Sequence, residues 1–238
     1  MYLIAFVSAY FILPIQAAIK RVAVTSEEIS DLISYVAFGV ILGGRLGYTL
    51  FYAPAFYFAH PLKIFSVWEG GMSFHGGLLG VIIAGFLFCK KRRRSFYELA
   101  DISMISVAIG LGLGRIGNFI NGELFGRQTD LPWCMVFPMG GPACRHPSQL
   151  YQAILEGVFI SAILWFLSKK DLAKGTLFWA FIFFYGLFRL LVEFVREPDA
   201  HLGFFFGFFS MGQLLSLPML LTGGMMMWRL NQRFPHAK

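Results

Sequence analysis

Polar residues with the chemistry of an anion-binding site interrupt a strongly apolar part of the chain between positions 110 and 126. They are Arg115, Asn118, Asn121 and Glu123. On a helix Arg115, Asn118 and Gly122 would share one face, and a guanidinium group binds phosphate through two parallel hydrogen bonds. The spacing therefore predicts a site for an anionic head group. Helix packing through the glycines, with an arginine that reaches the membrane surface, is the alternative.

A second polar cluster follows a helical spacing in another apolar stretch. Its members are Tyr185, Arg189, Glu193 and Arg196. Because they recur at i, i+4, i+8 and i+11, they would line one stripe of a helix and face one cavity. Simple neutralisation of Arg189 by Glu193 is the alternative, since opposite charges four residues apart pair on a helix.

The third candidate is a histidine flanked by residues without side chains. His75 precedes Gly76 and Gly77 at the start of an apolar run. Glycines allow a substrate to approach the imidazole closely, and an imidazole titrates in the range that suits proton removal at neutral pH. A structural histidine at the membrane interface is the alternative.

Two other sets of residues allow more than one interpretation. Arg45 is either a fourth binding group or a structural partner of Glu69 or Glu123. Cys134 and Cys144 would pair if their loop faces an oxidising compartment, and the cysteine spacing indicates no metal site.

The composition shows what kind of structure must position these groups. Of the 238 residues 57% are hydrophobic and 14% are charged, with a mean hydropathy of +0.66, whereas soluble domains have about 45–50% apolar and about 25% charged residues. A soluble enzyme is therefore excluded. Apolar stretches long enough for a bilayer lie at about 2–19, 32–53, 72–89, 99–120, 150–168, 175–195 and 204–228. The sequence predicts an all-α, polytopic bundle of seven transmembrane helices in one domain, 1–238.

The distribution of positive charge predicts the orientation of the bundle. Of the 20 Lys and Arg residues, thirteen follow odd-numbered spans, four lie in the opposite loops and three lie within or at the ends of apolar stretches. Since cytoplasmic loops retain positive charge, the N-terminus is expected outside and the C-terminus inside. The net charge of +7 then reflects topology, and no nucleic-acid partner is expected. All three clusters fall on the outer side, where we expect them to converge on one site.

Motifs for common cofactors are absent from the sequence or lie in the wrong context. Gly112-Leu-Gly-Arg-Ile-Gly117 matches the dinucleotide fingerprint, but it lies inside an apolar stretch without the strand that this fingerprint requires. The sequence lacks a nucleophilic serine elbow, a zinc-binding H-E-x-x-H and a phosphate-binding G-x-x-x-x-G-K-[ST]. We therefore expect no metal and no other cofactor.

Several longer strings resemble those of one enzyme family. They are Phe74-His-Gly-Gly-Leu-Leu-Gly80, Gly114-Arg-Ile-Gly-Asn-Phe-Ile-Asn-Gly-Glu-Leu-Phe-Gly-Arg127, Arg145-His-Pro-Ser-Gln-Leu-Tyr151, Tyr185 with Arg189, Glu193-Phe-Val-Arg-Glu-Pro-Asp199 and Met211-Gly-Gln-Leu-Leu-Ser-Leu-Pro-Met219. Together they resemble the prolipoprotein diacylglyceryl transferases over nearly the whole chain, and the string that begins at Gly114 is the most specific.

The resemblance implies a bacterial inner-membrane enzyme with its active site toward the periplasm. Such an enzyme moves the diacylglyceryl group of phosphatidylglycerol to the lipobox cysteine of a prolipoprotein and releases glycerol 1-phosphate. The resemblance implies that Arg115, Asn118, Asn121, Glu123 and Gly126 bind the phospholipid, and that His75, Arg189 and Tyr185 occupy other required positions. We expect His75, Arg115 and Arg189 to be catalytic, and Gly76, Gly77 and Tyr185 to line the substrate site.

Some alternatives stay open at the level of sequence. A non-catalytic carrier for an anionic lipid, or another head-group transferase, would also need buried arginines. Members of the family usually carry a further outer segment before the position of Met1, so either the start codon is misassigned or that segment is absent. Gln152 stands where the family commonly has Glu, a difference that we expect to be minor.

Overall fold

The fold is mostly helical, as the apolar stretches predict. A computed structural model describes residues 1–197 and 210–233. Its longer helices are α1 (Tyr2–Ile19), α2 (Ser26–Phe51), α4 (Phe74–Arg92), α5 (Phe96–Ile120), α8 (Thr176–Val192) and α9 (Met211–Arg233). Each overlaps one predicted stretch, and the fifth stretch forms α6 (Ser148–Gln152), a π-helical segment (Ala153–Phe159) and α7 (Ile160–Ser168). Positions 204–209 of the last stretch, with Pro198 and Asp199, lie outside the described residues.

Shorter elements fill the connections. A short helix, α3 (Pro54–Ala59), and 3₁₀ turns at Pro61–Phe65 and Val67–Glu69 follow α2. In the long connection between α5 and α6, strands β1 (Met135–Val136) and β2 (Cys144–Arg145) form a two-stranded antiparallel hairpin, with a 3₁₀ turn at Pro138–Gly140. Within residues 1–197 and 210–233 the structure is therefore mostly helical, with two strands of two residues each in addition to the helices.

Several of the helices are suited to a bilayer. In the described part of the chain, three are long and apolar enough to cross a membrane: Ser26–Phe51, Phe96–Ile120 and Ser148–Ser168. Shorter apolar helices occur at Leu3–Ile19 and Thr176–Val192. These helices are typical of a membrane protein, while the number of spans and their orientation remain predictions.

The chain forms two compact units, with a boundary inside α5. The first contains Met1–Val22 and Ala100–Lys238, and the second contains Ala23–Leu99. In the second unit α2 packs directly against α4. A Cβ atom on Gly43 would lie 2.8 Å from the Cα of Gly80, and one on Gly47 would lie 2.8 Å from the Cα of Gly76. Small residues thus bring the two backbones into contact, as is common between membrane helices.

The first unit contains an apolar core that joins α5, α7 and α8. Its members are Ile105, Ala108, Ile160, Leu164, Leu177, Ala180 and Phe181. Beside it, Gly112 of α5 faces Gly157 of the π-helical segment, where a Cβ on Gly112 would lie 2.9 Å from the Cα of Gly157. Asp101 is buried and accepts hydrogen bonds from the backbone N–H groups of Gly175 (2.7 Å) and Phe178 (2.9 Å). It thereby accepts from two backbone donors at the start of α8, where N–H groups have no partner within the helix.

The connection after α5 is tied to the end of α8. Gly126 forms an isolated β-bridge with Arg196, and Gln128 forms one with Arg145. Cys134 and Cys144 form a disulfide, so the pairing that the sequence left conditional is present.

We predict opposite effects for two alanine substitutions on α4. Gly80→Ala places a methyl group 3.0 Å from the Cα of Gly43 and closer still to Gly39, so overpacking should cost about 1–3 kcal/mol of unfolding free energy. A Cβ on Gly85 meets no atom within 4 Å, so Gly85→Ala should be neutral or stabilising by up to about 1 kcal/mol through helix propensity. Thermal unfolding of the detergent-solubilised variants measures both. Equal midpoints would contradict the assigned contact.

Candidate active site

The end of α5 forms the first cluster around one carboxylate. Asn118 and Asn121 donate side-chain hydrogen bonds to Oε1 of Glu123, at 2.9 Å and 3.2 Å. The helix ends at Ile120, and Gly122 has a φ of +68°. The prediction that Gly122 continues the helical face of Arg115 is therefore wrong, because the chain turns there and brings Glu123 back to the asparagines.

Gly126 lies where backbones are crowded. Its N–H donates to the carbonyl of His146 (2.8 Å), and a Cβ on Gly126 would lie 2.6 Å from both the Cβ of His146 and the carbonyl oxygen of Val195. Any side chain here would push the segment after α5 away from the end of α8. This close packing is a structural reason for glycine at this position, and lipid binding by Gly126 stays a prediction.

Arg115 pairs with a carboxylate that the sequence analysis did not single out. Its Nε lies 3.4 Å from Oε2 of Glu156, which is fully buried in the π-helical segment. The Nε2 of the equally buried Gln152 donates to Oε1 of Glu156 (3.2 Å). The packing of Gly112 against Gly157 places the segment that carries Glu156 beside α5. The rule that a charge within an apolar span is a functional candidate would have found Glu156.

Glu193 joins the second polar cluster to the start of α9. Its carboxylate pairs with Arg189 (2.6 Å) and Arg196 (3.4 Å), and it accepts a hydrogen bond from the hydroxyl of Ser210 (2.6 Å). Ser210 and Gln213 also bond reciprocally, backbone N–H to side chain, so that α9 begins with a capping box. The alternative considered from the sequence, an Arg189–Glu193 ion pair, is thus present, but it belongs to a larger network.

Tyr185 connects the two clusters electrostatically. It interacts with Arg115, Arg189 and Glu156, and Arg189 in turn interacts with Arg115 and Arg196. The structure therefore brings Arg115, Tyr185 and Arg189 into one neighbourhood, as the sequence predicted. Among the described members of this network, Arg115 pairs with Glu156, and Arg189 and Arg196 both pair with Glu193.

Some polar atoms of this region have no hydrogen-bond partner within the described residues. They include Nη1 of Arg189 and the Oε1 atoms of Gln149 and Gln152, all buried. Buried polar groups in proteins are nearly always bonded. An anionic, hydroxyl-bearing ligand would supply acceptors for the arginine and donors for the two amides.

His75 belongs to the second unit. It lies in the first turn of α4, where it is exposed. The hydroxyl of Ser73 accepts a hydrogen bond from the Gly76 N–H (3.2 Å) and caps this helix. Gly76 packs against α2, whereas a Cβ on Gly77 would have only ordinary contacts with Val40, from 3.6 Å. Glycine at 76 therefore serves helix packing, and substrate contact by either glycine stays a prediction.

Arg45 has a structural role in the second unit. It is buried and donates to the carbonyl oxygens of Lys63, Ile64, Ser66, Gly70 and Gly71, at 2.5–3.3 Å. A guanidinium has five N–H donors, and these five carbonyl oxygens accept from all of them. Glu69 pairs instead with Lys63, at 2.6 Å. The prediction that Arg45 pairs with Glu69 or Glu123 is therefore wrong, because its structural partners are backbone carbonyls.

Comparisons with known proteins agree in one family. The sequence model described as prolipoprotein diacylglyceryl transferase matches residues 1–229. A phosphatidylglycerol--prolipoprotein diacylglyceryl transferase of Geobacter sulfurreducens is 57% identical over 223 residues, which are 94% of this chain and 86% of the relative. A protein of the same name from Shewanella sp. (strain ANA-3) is 53% identical over 93% of this chain and 83% of the relative. One from Aeromonas salmonicida is 50% identical over 98% of this chain and 85% of the relative.

We predict that Glu193→Gln destabilises the protein strongly. The substitution leaves Arg189 and Arg196 buried without their carboxylate, and breaking a buried pair costs about 3–5 kcal/mol. Glu197→Gln is the matched control, because the Glu197 side chain is 47% exposed in its pair with Arg145, and exposed pairs contribute about 0–1 kcal/mol. Chemical unfolding in detergent measures the difference. Equal losses would show that Glu193 does not hold the network together.

Proposed function

Because the chain belongs to the prolipoprotein diacylglyceryl transferase family, we propose that the network around Arg115 and Arg189 is the site at which it works as a transferase. The enzyme transfers the diacylglyceryl group of phosphatidylglycerol to a prolipoprotein, in the maturation of bacterial lipoproteins. The acceptor in this proposal is the thiol of the lipobox cysteine, and glycerol 1-phosphate is the product that leaves.

The buried polar atoms that have no hydrogen-bond partner among the described residues are the observation that carries the site assignment. They include Nη1 of Arg189, whose guanidinium also interacts electrostatically with Arg115. The phosphodiester of phosphatidylglycerol bears one negative charge and accepts bidentate hydrogen bonds from guanidinium groups. Such a lipid would supply an acceptor for Nη1 of Arg189, and its head-group hydroxyls match the unpaired amide oxygens of Gln149 and Gln152.

The proposed reaction is a substitution at the glyceryl carbon that bears the phosphate. The cysteine sulfur forms a bond to this carbon, the bond from carbon to the phosphate oxygen breaks, and the thiol proton goes to a base. Arg115 and Arg189 would stabilise the charge that develops on the departing phosphate, an effect that is largest where water is excluded. Asn118, Asn121 and Glu123 would orient the head group, and Tyr185 would supply a further hydroxyl.

The proposal assigns proton removal to His75 on the basis of residue type. A thiol has a pKa near 8.5 in model peptides, and an imidazole within hydrogen-bond reach can act as general base near neutral pH. Gly76 and Gly77 are proposed to line the access to this imidazole.

Substitutions should separate these roles. Arg115→Ala or Arg189→Ala should lower kcat by about 10²–10³, and His75→Ala by about 10²–10⁴. Arg229→Ala, which removes an exposed arginine on α9, should have no effect. The assay incubates membranes with phosphatidylglycerol and a lipobox peptide and quantifies the thioether adduct by mass, with glycerol 1-phosphate released in equal amount.

Two outcomes would overturn the assignments. Near-normal turnover by His75→Ala would exclude the base role. If the unaltered protein transports phosphatidylglycerol but forms no thioether adduct, the result would favour a non-catalytic lipid carrier, the other class of protein for which buried arginines are suited.

We also propose that residues 1–238 form one transmembrane catalytic domain with seven spans in the bacterial inner membrane. The N-terminus and the active site would face the periplasm, and the C-terminus the cytoplasm. The basic loops support this orientation. So does the Cys134–Cys144 disulfide, since disulfides persist in oxidising compartments.

Thiol labelling should report this topology. In cells whose outer membrane has been permeabilised, a membrane-impermeant maleimide should label Cys134 and Cys144 after treatment with an impermeant reductant. It should not label the Cys134→Ser/Cys144→Ser variant, whose remaining Cys89 is buried. Labelling confined to inverted inner-membrane vesicles would show that the orientation is the reverse.

A further inference from the structure

Glu156 is a fully buried carboxylate inside an apolar helix, and the reaction chemistry does not use it directly. A charge in a membrane span costs at least about 2.5–3.5 kcal/mol on insertion scales, so the protein must gain something by keeping it. Its two oxygens accept from Arg115 and Gln152. Among the described residues, Arg115 is the only member of the proposed reaction that donates a hydrogen bond to Glu156.

The geometry of the pair determines what Arg115 can offer to a ligand. Glu156 contacts the Nε of Arg115, at 3.4 Å. A guanidinium is planar and rigid, so a contact at Nε fixes the plane of the group about the end of the flexible side chain. The two Nη groups lie away from Nε, and the carboxylate does not occupy them. They form the edge that binds two oxygens of a phosphate.

The backbone around Glu156 is shaped to hold it in this position. Residues Ala153–Phe159 form a π-helical segment, a distortion often found at functional sites. Gly157, the next residue, lets this segment contact α5 at Gly112. Gln152 lies on the same helix and donates to the other carboxylate oxygen, so both oxygens of Glu156 are fixed.

From these contacts we propose that Glu156 is a positioning residue, which holds Arg115 by its Nε so that the Nη edge is presented to the lipid phosphate. The inference rests on the proposed function of Arg115 and adds the residue that positions this arginine for that function. Gln152 holds Glu156 in turn.

Glu156→Ala should lower kcat/KM for phosphatidylglycerol by about 10- to 100-fold, because a displaced binding group loses roughly that much. The KM for the lipobox peptide should not change. Glu156→Gln keeps an oxygen that can accept from Nε and should recover part of the loss. The exposed Glu197→Ala serves as control and should behave like the unaltered protein.

A double-mutant cycle tests whether Glu156 acts through Arg115. Lysine retains the positive charge at position 115 but has no Nε–H, so Glu156→Ala in the Arg115→Lys background should change kcat/KM by less than about threefold. The same cycle is run on the thermal shift that dioctanoyl phosphatidylglycerol produces, because this readout does not require turnover. In the otherwise unaltered protein Glu156→Ala should abolish most of that shift.

The outcomes separate this inference from the function on which it rests. If the unaltered protein forms no thioether adduct, the assignment of a transferase site is wrong. In that case the thermal-shift cycle would still test the coupling between Glu156 and Arg115. If Glu156→Ala and Glu156→Gln only lower the unfolding midpoint and leave the KM for phosphatidylglycerol unchanged, Glu156 is structural. Equal losses in the presence and absence of Arg115→Lys would also overturn the proposal.

Discussion

Buried charge in an apolar environment must be paired, and this constraint determines the structure around the site. Glu193 pairs with arginines at positions 189 and 196 and accepts from Ser210. The end of α8, the turn beyond it and the first turn of α9 therefore share one carboxylate. A Cβ on Gly212 would lie 2.9 Å from Oε2 of Glu193, so only glycine at this position lets the carboxylate reach the start of α9.

Close contact between helix backbones is the second condition for the site. Gly112 and Gly157 bring the π-helical segment to α5, and a Cβ on Gly186 would lie 2.9 Å from the carbonyl oxygen of Ser216 on α9. Side chains as short as those of Asn and Gln can then connect one element to the next, as Gln149 does when it donates to the carbonyl of Glu123 (2.7 Å). Packing and polar chemistry thus depend on the same small residues.

The sequence predicts the helices and much of the site, because apolar runs and helical spacing are local properties. The stripe of Tyr185, Arg189 and Glu193 is an example, since one helix carries most of it. What the sequence could not predict depends on contacts between elements. The five carbonyl partners of Arg45, for example, come from the connection that follows α2, and the residue types of this connection do not indicate which of its carbonyls accept. Glu156 is different, because the sequence shows a carboxylate inside an apolar run but does not show that Arg115 pairs with it.

The arrangement of charge also suits the course of the proposed reaction better than a simple binding site would. A phosphodiester has one negative charge, and the phosphomonoester that leaves has up to two, while the thiolate loses its charge as the carbon–sulfur bond forms. Negative charge therefore moves from sulfur toward the phosphate during the reaction. In the proposed site, fixed guanidinium groups around the phosphate would favour that movement, because the positive charges are already in place and need no reorganisation. The pairs of Arg115 with Glu156, and of Arg189 and Arg196 with Glu193, keep the guanidinium groups in position for this step of the proposed reaction.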